Sequence, residues 1–221
     1  MSKGFDNEYG CEITWTVYNV EDLTVYDQKK LYHKMMEMKS FDHPNVIKYL
    51  HVNLNERLGE IIVITELANS FKHYIKKMDK PKLKVVTNWC HKILDGLEYL
   101  FSKNIFAVNL CPESIYANEQ CDIKVGDISV VSKFKETFKS VKKKTNTSRC
   151  ELPPELLLSD LSTVYYNFGK IVLYMIFHNP TSYKNALKIM KSSNSEILYE
   201  NIADEGLRDF LKKILVSNNY K

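Results

Sequence analysis

Residues 110–127 read LCPESIYANEQCDIKVGD, and they are the most informative stretch of this 221-residue chain. Two short runs that contain β-branched residues, 115–117 and 123–125, are separated by polar residues. This pattern predicts two short strands joined by a turn. The residues before them, 105–113, lack a helical or strand period and are predicted to be irregular.

Upstream of this stretch the chain begins strand-rich. Three runs of β-branched and aromatic residues are predicted to be strands: 11–18, 46–52 and 61–65. A helix is predicted over 26–40, because apolar residues recur there at helical spacing. A His-Pro-Asn sequence at 43–45 ends this helix.

The remainder of the chain has a helical pattern. Five segments are predicted to be helices: 71–77, 84–101, 164–177, 183–190 and 205–216. The helix at 164–177 is nearly all apolar, which is expected when every side is covered by protein. Residues 133–149 are polar and basic and are predicted to form a mobile loop.

Composition narrows the class of protein. Hydrophobic residues make up 44% of the chain, and the formal net charge of +4 is too mild to require a nucleic-acid partner. The five cysteines are scattered without a CxxC pair, which predicts reduced thiols in a cytoplasmic protein and no zinc site. The sequence has no apolar run long enough to span a bilayer, and its first residues predict no signal peptide.

Five short motifs resemble those of protein kinases and occur in the same order. They are HPNVI at 43–47, L-x-P-E-x-I at 110–115, KVGD at 124–127, PPE at 153–155 and FG at 168–169. In kinases these strings follow the αC helix, form the catalytic loop, precede the DFG position, form the APE motif and lie on the buried αF helix. The resemblance implies an α+β fold of the bilobal, protein-kinase-like kind.

Within the protein kinases, the chain is similar to the with-no-lysine (WNK) serine/threonine kinases and to the nuclear-receptor-binding-protein pseudokinases. The similarity lies in KGFD…EITW within 3–15, ITEL at 64–67, WCxxILxGL at 89–97 and YxNAxxI at 183–189. It implies a small β-rich lobe with one helix at 1–67 and a mainly helical large lobe at 68–221, which together make one domain. By the same comparison, we expect the first strand, the Gly-rich loop and the last helix of a kinase domain to be missing.

At five positions matched to catalytic groups of that family, this chain carries other residues. Thr16 lies at the β3 lysine position and Lys34 at the αC glutamate position, so the ion pair that aligns ATP cannot form in the usual way. Asn109 replaces the catalytic-loop aspartate and, as an amide, cannot serve as a carboxylate base. Cys111 replaces the catalytic-loop lysine. Ser114 replaces the metal-binding asparagine and is a poorer ligand for Mg²⁺.

Other positions retain a functional interpretation beside a structural one. Asp127 matches the aspartate of DFG and could hold one Mg²⁺, or it is a turn residue after a strand. Backbone groups of the hinge residues Glu66 and Leu67 could hold an adenine. Ser140 resembles an activation-loop serine whose phosphate would lie among lysines, or it is an unmodified surface serine. We therefore expect no cofactor, and ATP with Mg²⁺ only if residual nucleotide binding survives.

The leading interpretation is a catalytically inactive kinase-like domain, a pseudokinase, that acts in signalling as an intracellular scaffold or allosteric partner of another protein. The alternatives are a divergent WNK-like serine/threonine kinase that transfers phosphate from ATP, and a nucleotide sensor without turnover. Losing one preorganised electrostatic contact commonly costs about 10²–10³ in rate. Several such losses in one chain favour the inactive interpretation, although their effects are not additive.

Overall fold

The computed structural model describes residues 2–8, 10–67, 69–76, 78, 80–105, 110–117, 122–126, 161–190, 192 and 196–215. The loop predicted at 133–149 lies outside these residues, as do the sites predicted at Asn109, Asp127 and Ser140. The described part contains a four-stranded sheet with one helix, then a three-stranded sheet and a group of helices. The predicted α+β architecture is confirmed.

The four-stranded sheet is antiparallel, with the strand order β1-β2-β4-β3. Its strands are β1 (Ser2–Asp6), β2 (Cys11–Asn19), β3 (Tyr49–Asn55) and β4 (Glu60–Glu66). Side chains alternate between the two faces, so Thr14 is buried whereas the neighbouring Trp15 is exposed. We did not predict β1 from its composition, because Lys, Gly and Asp make up three of its five residues and are poor strand formers.

The helix α1 (Val25–Glu37) covers one face of this sheet. It begins at Thr24, whose hydroxyl accepts a hydrogen bond from the Asp27 amide. Its buried residues, Gln28, Leu31 and Met35, lie three or four positions apart. A single 3₁₀ turn, Met38–Ser40, continues the helix, so the predicted end at residue 40 agrees with the structure.

The prediction of a strand over 46–52 was wrong by three residues at each end. The strand β3 starts at Tyr49 and ends at Asn55. Residues 45–47 instead bond to β7 (Ile123–Val125): the Ile47 amide donates to the Val125 carbonyl, and the Val125 amide donates to the Asn45 carbonyl. These residues do not belong to β3 because they bond to a strand almost 80 residues later in the sequence. Strand propensity depends on local composition and cannot predict such a contact.

The rest of the chain is mainly helical. Its elements are β5 (Asn69–Ser70), α2 (Phe71–Ile75), α3 (Leu83–Ser102), β6 (Ile115–Ala117), α4 (Leu161–Phe177), α5 (Pro180–Met190), α6 (Glu196–Glu200) and α7 (Glu205–Leu215). The strands β5, β6 and β7 form the second sheet in that order. The helix α5 starts three residues earlier than predicted, with Pro180 at its first position. The short helix α6 was not predicted.

The core runs through both parts. The helix α3 buries Val86, Trp89, Ile93, Leu97 and Leu100, the stripe that its apolar period predicts. The helix α4 is buried on nearly every described side chain from 163 to 175, with Tyr165 the exposed exception. No helix within the described ranges is both long enough and apolar enough to cross a bilayer.

Candidate functional site

A small cavity lies between the covered face of the four-stranded sheet and β6. The side chains that line it are Thr16, Tyr18, Ile47, Tyr49, Val63, Thr65 and Tyr116. Its volume of about 20 Å³ has room for a water molecule, whereas sites for drug-sized or cofactor ligands commonly measure about 300–1,000 Å³. Aromatic rings and aliphatic side chains therefore fill most of this space.

Thr16, predicted at the β3 lysine position, lies in this cavity. It pairs with Val63 across β2 and β4, and both side chains line the space. None of the seven lining residues carries a charge. A nucleotide phosphate placed here would lose its hydration, and no positively charged side chain of the lining would compensate for that loss. Such desolvation of a charge is energetically costly.

Lys34 does not join Thr16. Its ammonium group pairs with the Glu37 carboxylate three residues later on α1, at 2.5 Å. Since the pair is partly exposed, it contributes at most modestly to stability. The side chain predicted at the αC glutamate position is thus a cation that pairs with a residue of its own helix, and it does not line the cavity.

Ser114 and Cys111 form a closed turn, Pro112–Ser114, before β6. The Ser114 hydroxyl donates to the Cys111 carbonyl and accepts from the Cys111 amide, both at 2.9 Å. The Ser114 carbonyl accepts from the Gly126 amide at 2.8 Å. These bonds occupy the hydroxyl that would have to serve as a metal ligand, and the side chain is 3% exposed.

Gly126 immediately precedes Asp127 and has no room for a side chain. A Cβ atom there would lie 2.7 Å from Ile47 and 2.8 Å from the ring of Tyr116. The Tyr116 ring therefore packs directly against the backbone at the end of β7. Asp127 itself lies outside the described residues.

Glu66, predicted to be a hinge residue, holds three parts of the chain together. Its carboxylate accepts from the Lys124 ammonium at 2.8 and 3.0 Å and from the Lys48 amide at 2.7 Å. Its own amide donates to the Lys48 carbonyl. Leu67, the other predicted hinge residue, is half-buried. The Glu66 side chain thus acts as a structural tie between β4, the start of β3 and β7.

Another ion pair lies beside the turn Pro112–Ser114. Lys72 on α2 pairs with Glu113, and both side chains are partly buried. Burial, and secondarily the charge of Glu113, raise the pKa of Tyr174 on α4 to about 12. The Tyr174 ring packs edge-on against Tyr183, with centroids 5.0 Å apart. The Glu113 carboxylate is therefore already paired with a lysine of the same chain.

The thiols in the described residues have no disulfide partners; they are Cys11, Cys90 and Cys111. Burial raises the pKa of Cys90 to about 12, so this thiol stays protonated at neutral pH and is a poor nucleophile. The Cys111 backbone is bonded to the Ser114 hydroxyl, and a thiol nucleophile at this position would also need a neighbouring base.

Metal-ligand side chains do not cluster in the described part of the chain, where no three histidine, cysteine, aspartate or glutamate residues lie close enough together to hold a metal ion. The Ser114 hydroxyl is bonded to backbone, and the Glu66 carboxylate is held by Lys124. The side-chain oxygens of Ser114 and Glu66 therefore already make hydrogen bonds within the chain.

One charged segment was not singled out from the sequence. Residues 72–84 contain six lysines against one aspartate, while the whole chain has a net charge of only +4. A count of charge in short windows would have found it. Among its described residues, Lys76, Lys80, Lys82 and Lys84 are exposed around the α2–α3 connection.

Comparison with known proteins agrees with this geometry. The sequence model of the protein tyrosine and serine/threonine kinase family matches residues 16–200. The match begins within β2 and runs to the end of α6. It covers most of the chain, including the whole second sheet, but it leaves out β1 and the first half of β2.

Curated relatives come from the WNK branch. The chain is 28% identical to serine/threonine-protein kinase WNK8 of Arabidopsis thaliana over 97% of its length, which is 40% of that relative. It is 26% identical to serine/threonine-protein kinase WNK of Caenorhabditis elegans over 79% of its length, or 10% of that relative. It is 25% identical to serine/threonine-protein kinase WNK3 of Mus musculus over 98% of its length, or 13% of that relative. The chain thus spans less than half the length of these relatives.

Proposed function

The chain belongs to the protein tyrosine and serine/threonine kinase family and resembles its WNK branch, and on this premise we propose that it is a pseudokinase. In this proposal it acts in the cytoplasm as a scaffold or allosteric partner that binds another protein. The observation that carries the proposal is the uncharged cavity at Thr16, which lacks a cation for nucleotide phosphates.

The surrounding positions support the same proposal. Phosphoryl transfer depends on positioning and on neutralising the phosphate charge. Lys34 is paired with Glu37, and the Ser114 hydroxyl is bonded to the Cys111 backbone. Asn109, at the position of the catalytic aspartate, is an amide that cannot accept a proton as a carboxylate does. With the exception of Asp127, the residues matched to groups that hold ATP, metal and substrate hydroxyl are replaced or already bonded within the chain.

A divergent serine/threonine kinase is the second candidate. It is favoured by the names of the relatives, which are serine/threonine-protein kinases, and by Asp127 at the metal-binding aspartate position. In that case another group would have to supply the cation and the base. The two candidates differ in one measurable property, which is transfer of the γ-phosphate of ATP.

The test is a phosphotransfer assay with purified chain and γ-labelled ATP, with Mg²⁺ and with Mn²⁺, beside an active serine/threonine kinase domain. We expect no label on the chain or on a generic acceptor protein. A thermal-shift scan with ATP up to millimolar concentration, with and without Mg²⁺, should leave the melting temperature unchanged. Label that appears with the wild type and disappears with Asp127→Ala would instead establish the divergent kinase. A metal-independent shift without label would establish the nucleotide sensor.

A further inference from the structure

Four lysines form a basic surface where α2 ends and α3 begins. We call it the lysine surface, and its members are Lys76, Lys80, Lys82 and Lys84. All four side chains are exposed. Lys80, Lys82 and Lys84 alternate within five residues, so even in a fully extended chain their backbones lie within about 14 Å of one another. Their electrostatic fields therefore reinforce each other over a distance comparable with the Debye length.

An aromatic contact joins α2 to α3 near this surface. Phe71 and Tyr74 on α2 both contact the ring of Trp89 on α3, with centroids 5.1 and 6.4 Å apart. Trp89 and Phe71 are buried. Lys76 directly follows α2 and Lys82 directly precedes α3, so all four lysines lie in or beside the short connection between these two helices.

These lysines differ from others nearby because no carboxylate of the described residues pairs with them. Lys72 pairs with Glu113, and Lys92 pairs with Asp122 at 2.7 Å. Within the residues that the structure describes, no ion pair involves a member of the lysine surface. The positive charge is therefore available to another molecule.

The charge also works against the helix that carries it. Lys82 is the N-cap of α3 and makes no side-chain capping bond, and the first turn contains no acidic residue. Cations near a helix N-terminus oppose the helix dipole, and lysine is not among the preferred caps. Lys82 and Lys84 therefore lower the stability of α3 without a compensating local contact. Residues that destabilise their own helix in this way are often found at binding sites.

We propose that the lysine surface is the docking site for an acidic segment of a partner protein, with an apolar side chain of that segment against Leu83. Leu83 is 41% exposed and lies between Lys82 and Lys84 in the sequence. A segment that combines carboxylates with one apolar residue matches both the charge and this exposed side chain. The proposal deepens the binding role proposed above and depends on it.

Other polyanions fit the surface less well. Single-stranded nucleic acid is usually held by exposed aromatic side chains on which bases stack, but Phe71 and Trp89 are buried here. Stable attachment to an anionic membrane needs a second signal besides basic residues, such as several inserted apolar side chains or a lipid. Within the described part of 72–84, Leu83 is the single strongly exposed large apolar residue.

The experiment measures binding of a fluorescein-labelled 14-residue peptide with eight glutamates and one central leucine, by anisotropy. The test variant carries Lys76→Gln, Lys80→Gln, Lys82→Gln and Lys84→Gln. The matched control removes the same charge from exposed lysines elsewhere; it carries Lys39→Gln, Lys184→Gln, Lys188→Gln and Lys213→Gln. We expect the test variant to bind at least about tenfold more weakly than the wild type, the control within about twofold, and all binding to weaken with salt.

A second pair of measurements tests Leu83. Leu83→Ser should weaken binding of the leucine peptide by about threefold or more, and it should leave binding of a peptide with serine in place of leucine unchanged. Equal effects on the two peptides would overturn the apolar contact. Circular dichroism melting of each variant confirms that it is folded.

Three outcomes overturn the proposal. They are equal losses in the test and control variants, no peptide binding at millimolar concentration, and tighter binding to phosphatidylcholine vesicles with 30% phosphatidylserine or to a 12-residue oligouridine than to the peptide. None of these readouts involves phosphoryl transfer. A failure here therefore leaves the phosphotransfer test of the pseudokinase proposal unaffected, and activity in that test would leave the measured docking intact.

Discussion

Single residues set the closest approaches in this molecule. Gly96 lies on α3 where the helix meets the backbone of residue 45, and a Cβ atom there would lie 2.5 Å from the Asn45 carbonyl oxygen. At Gly206, near the start of α7, a Cβ atom would lie 3.5 Å from its nearest neighbour, the Asp204 carboxylate. The two glycines therefore occupy helices for different reasons.

Gly96→Ala should lower the free energy of unfolding by about 2 kcal/mol, because the added methyl group overlaps a backbone atom that cannot move away freely. Gly206→Ala is the matched control and should raise the free energy of unfolding by up to about 1 kcal/mol, as helix propensity predicts. Urea denaturation of both variants measures these changes. Equal stability of the two variants would contradict the close contact at Gly96.

Tyr174 gives the molecule a dependence on alkaline pH. Its folded pKa of about 12 exceeds the ordinary value of 10, so folding favours the protonated phenol. The stability that this group contributes is complete below pH 10 and is lost as the pH rises from 10 towards 12. Tyr174→Phe should remove that part of the pH dependence.

The measurement is urea denaturation between pH 8 and about pH 11.5, where the gap between wild type and Tyr174→Phe should change with pH. Near neutral pH the variant should be as stable as the wild type or slightly more so, since the hydroxyl is buried without a hydrogen-bond partner among the described residues. Tyr26→Phe, at a side chain that is 73% exposed, serves as control. Parallel pH profiles for wild type and Tyr174→Phe would refute the assignment.

At the scale of secondary-structure elements, Glu66 connects strands that belong to different sheets. It lies at the end of β4, and its carboxylate bonds to the backbone before β3 and to Lys124 on β7. The side chains of Lys124 and Glu66 are 14% and 29% exposed. An ion pair that is mostly buried and also bonded to a backbone amide contributes more than a surface pair.

Glu66→Gln should lower the free energy of unfolding by about 1–2 kcal/mol, since the amide keeps one acceptor but loses the charge that Lys124 faces. Hydrogen exchange should accelerate at 46–48 and 123–125, the segments that the carboxylate joins. Lys92→Met breaks the more exposed Lys92–Asp122 pair and should cost under about 1 kcal/mol without that local effect. Identical exchange patterns in the two variants would show that Glu66 is not a tie.

At the scale of the whole molecule, residues 43–47 join the four-stranded sheet to the helical part. The Asn45 side chain donates to the Ile123 carbonyl at 2.8 Å, and backbone bonds link 45–47 to Val125. His43 stacks on Tyr99 of α3 with ring centroids 4.8 Å apart. These contacts should make the two parts unfold together.

The two tryptophans allow this coupling to be measured, since Trp15 lies in β2 and Trp89 in α3. In the single-tryptophan variants Trp15→Phe and Trp89→Phe, fluorescence should report the same urea midpoint for both parts. Adding Asn45→Asp places a carboxylate against the Ile123 carbonyl, which should separate the two midpoints. Separate midpoints without that substitution would contradict the coupling.

Local pattern was enough to predict most elements. Apolar residues at helical spacing predicted α3 and α4 to within a few residues, and β-branched runs predicted β2, β6 and β7. The order of short motifs was enough to identify the kinase family, which the family match confirms. These features depend on neighbours within a few residues, so the amino-acid sequence contains the whole signal. The predicted roles of Asn109, Asp127 and Ser140 stay predictions.

Contacts that the local sequence pattern does not specify were decided only when the chain folded. The shift of β3, the pairing of Lys34 with Glu37 and the use of the Ser114 hydroxyl by the Cys111 backbone depend on which groups happen to lie within hydrogen-bond distance. The residue type at a position determines which polar atoms its side chain has, but not which of those atoms already have hydrogen-bond partners. For this reason the sequence alone determined which residue types stand at the candidate site. Only the tertiary structure decided which of their donors and acceptors are already hydrogen-bonded to neighbouring atoms.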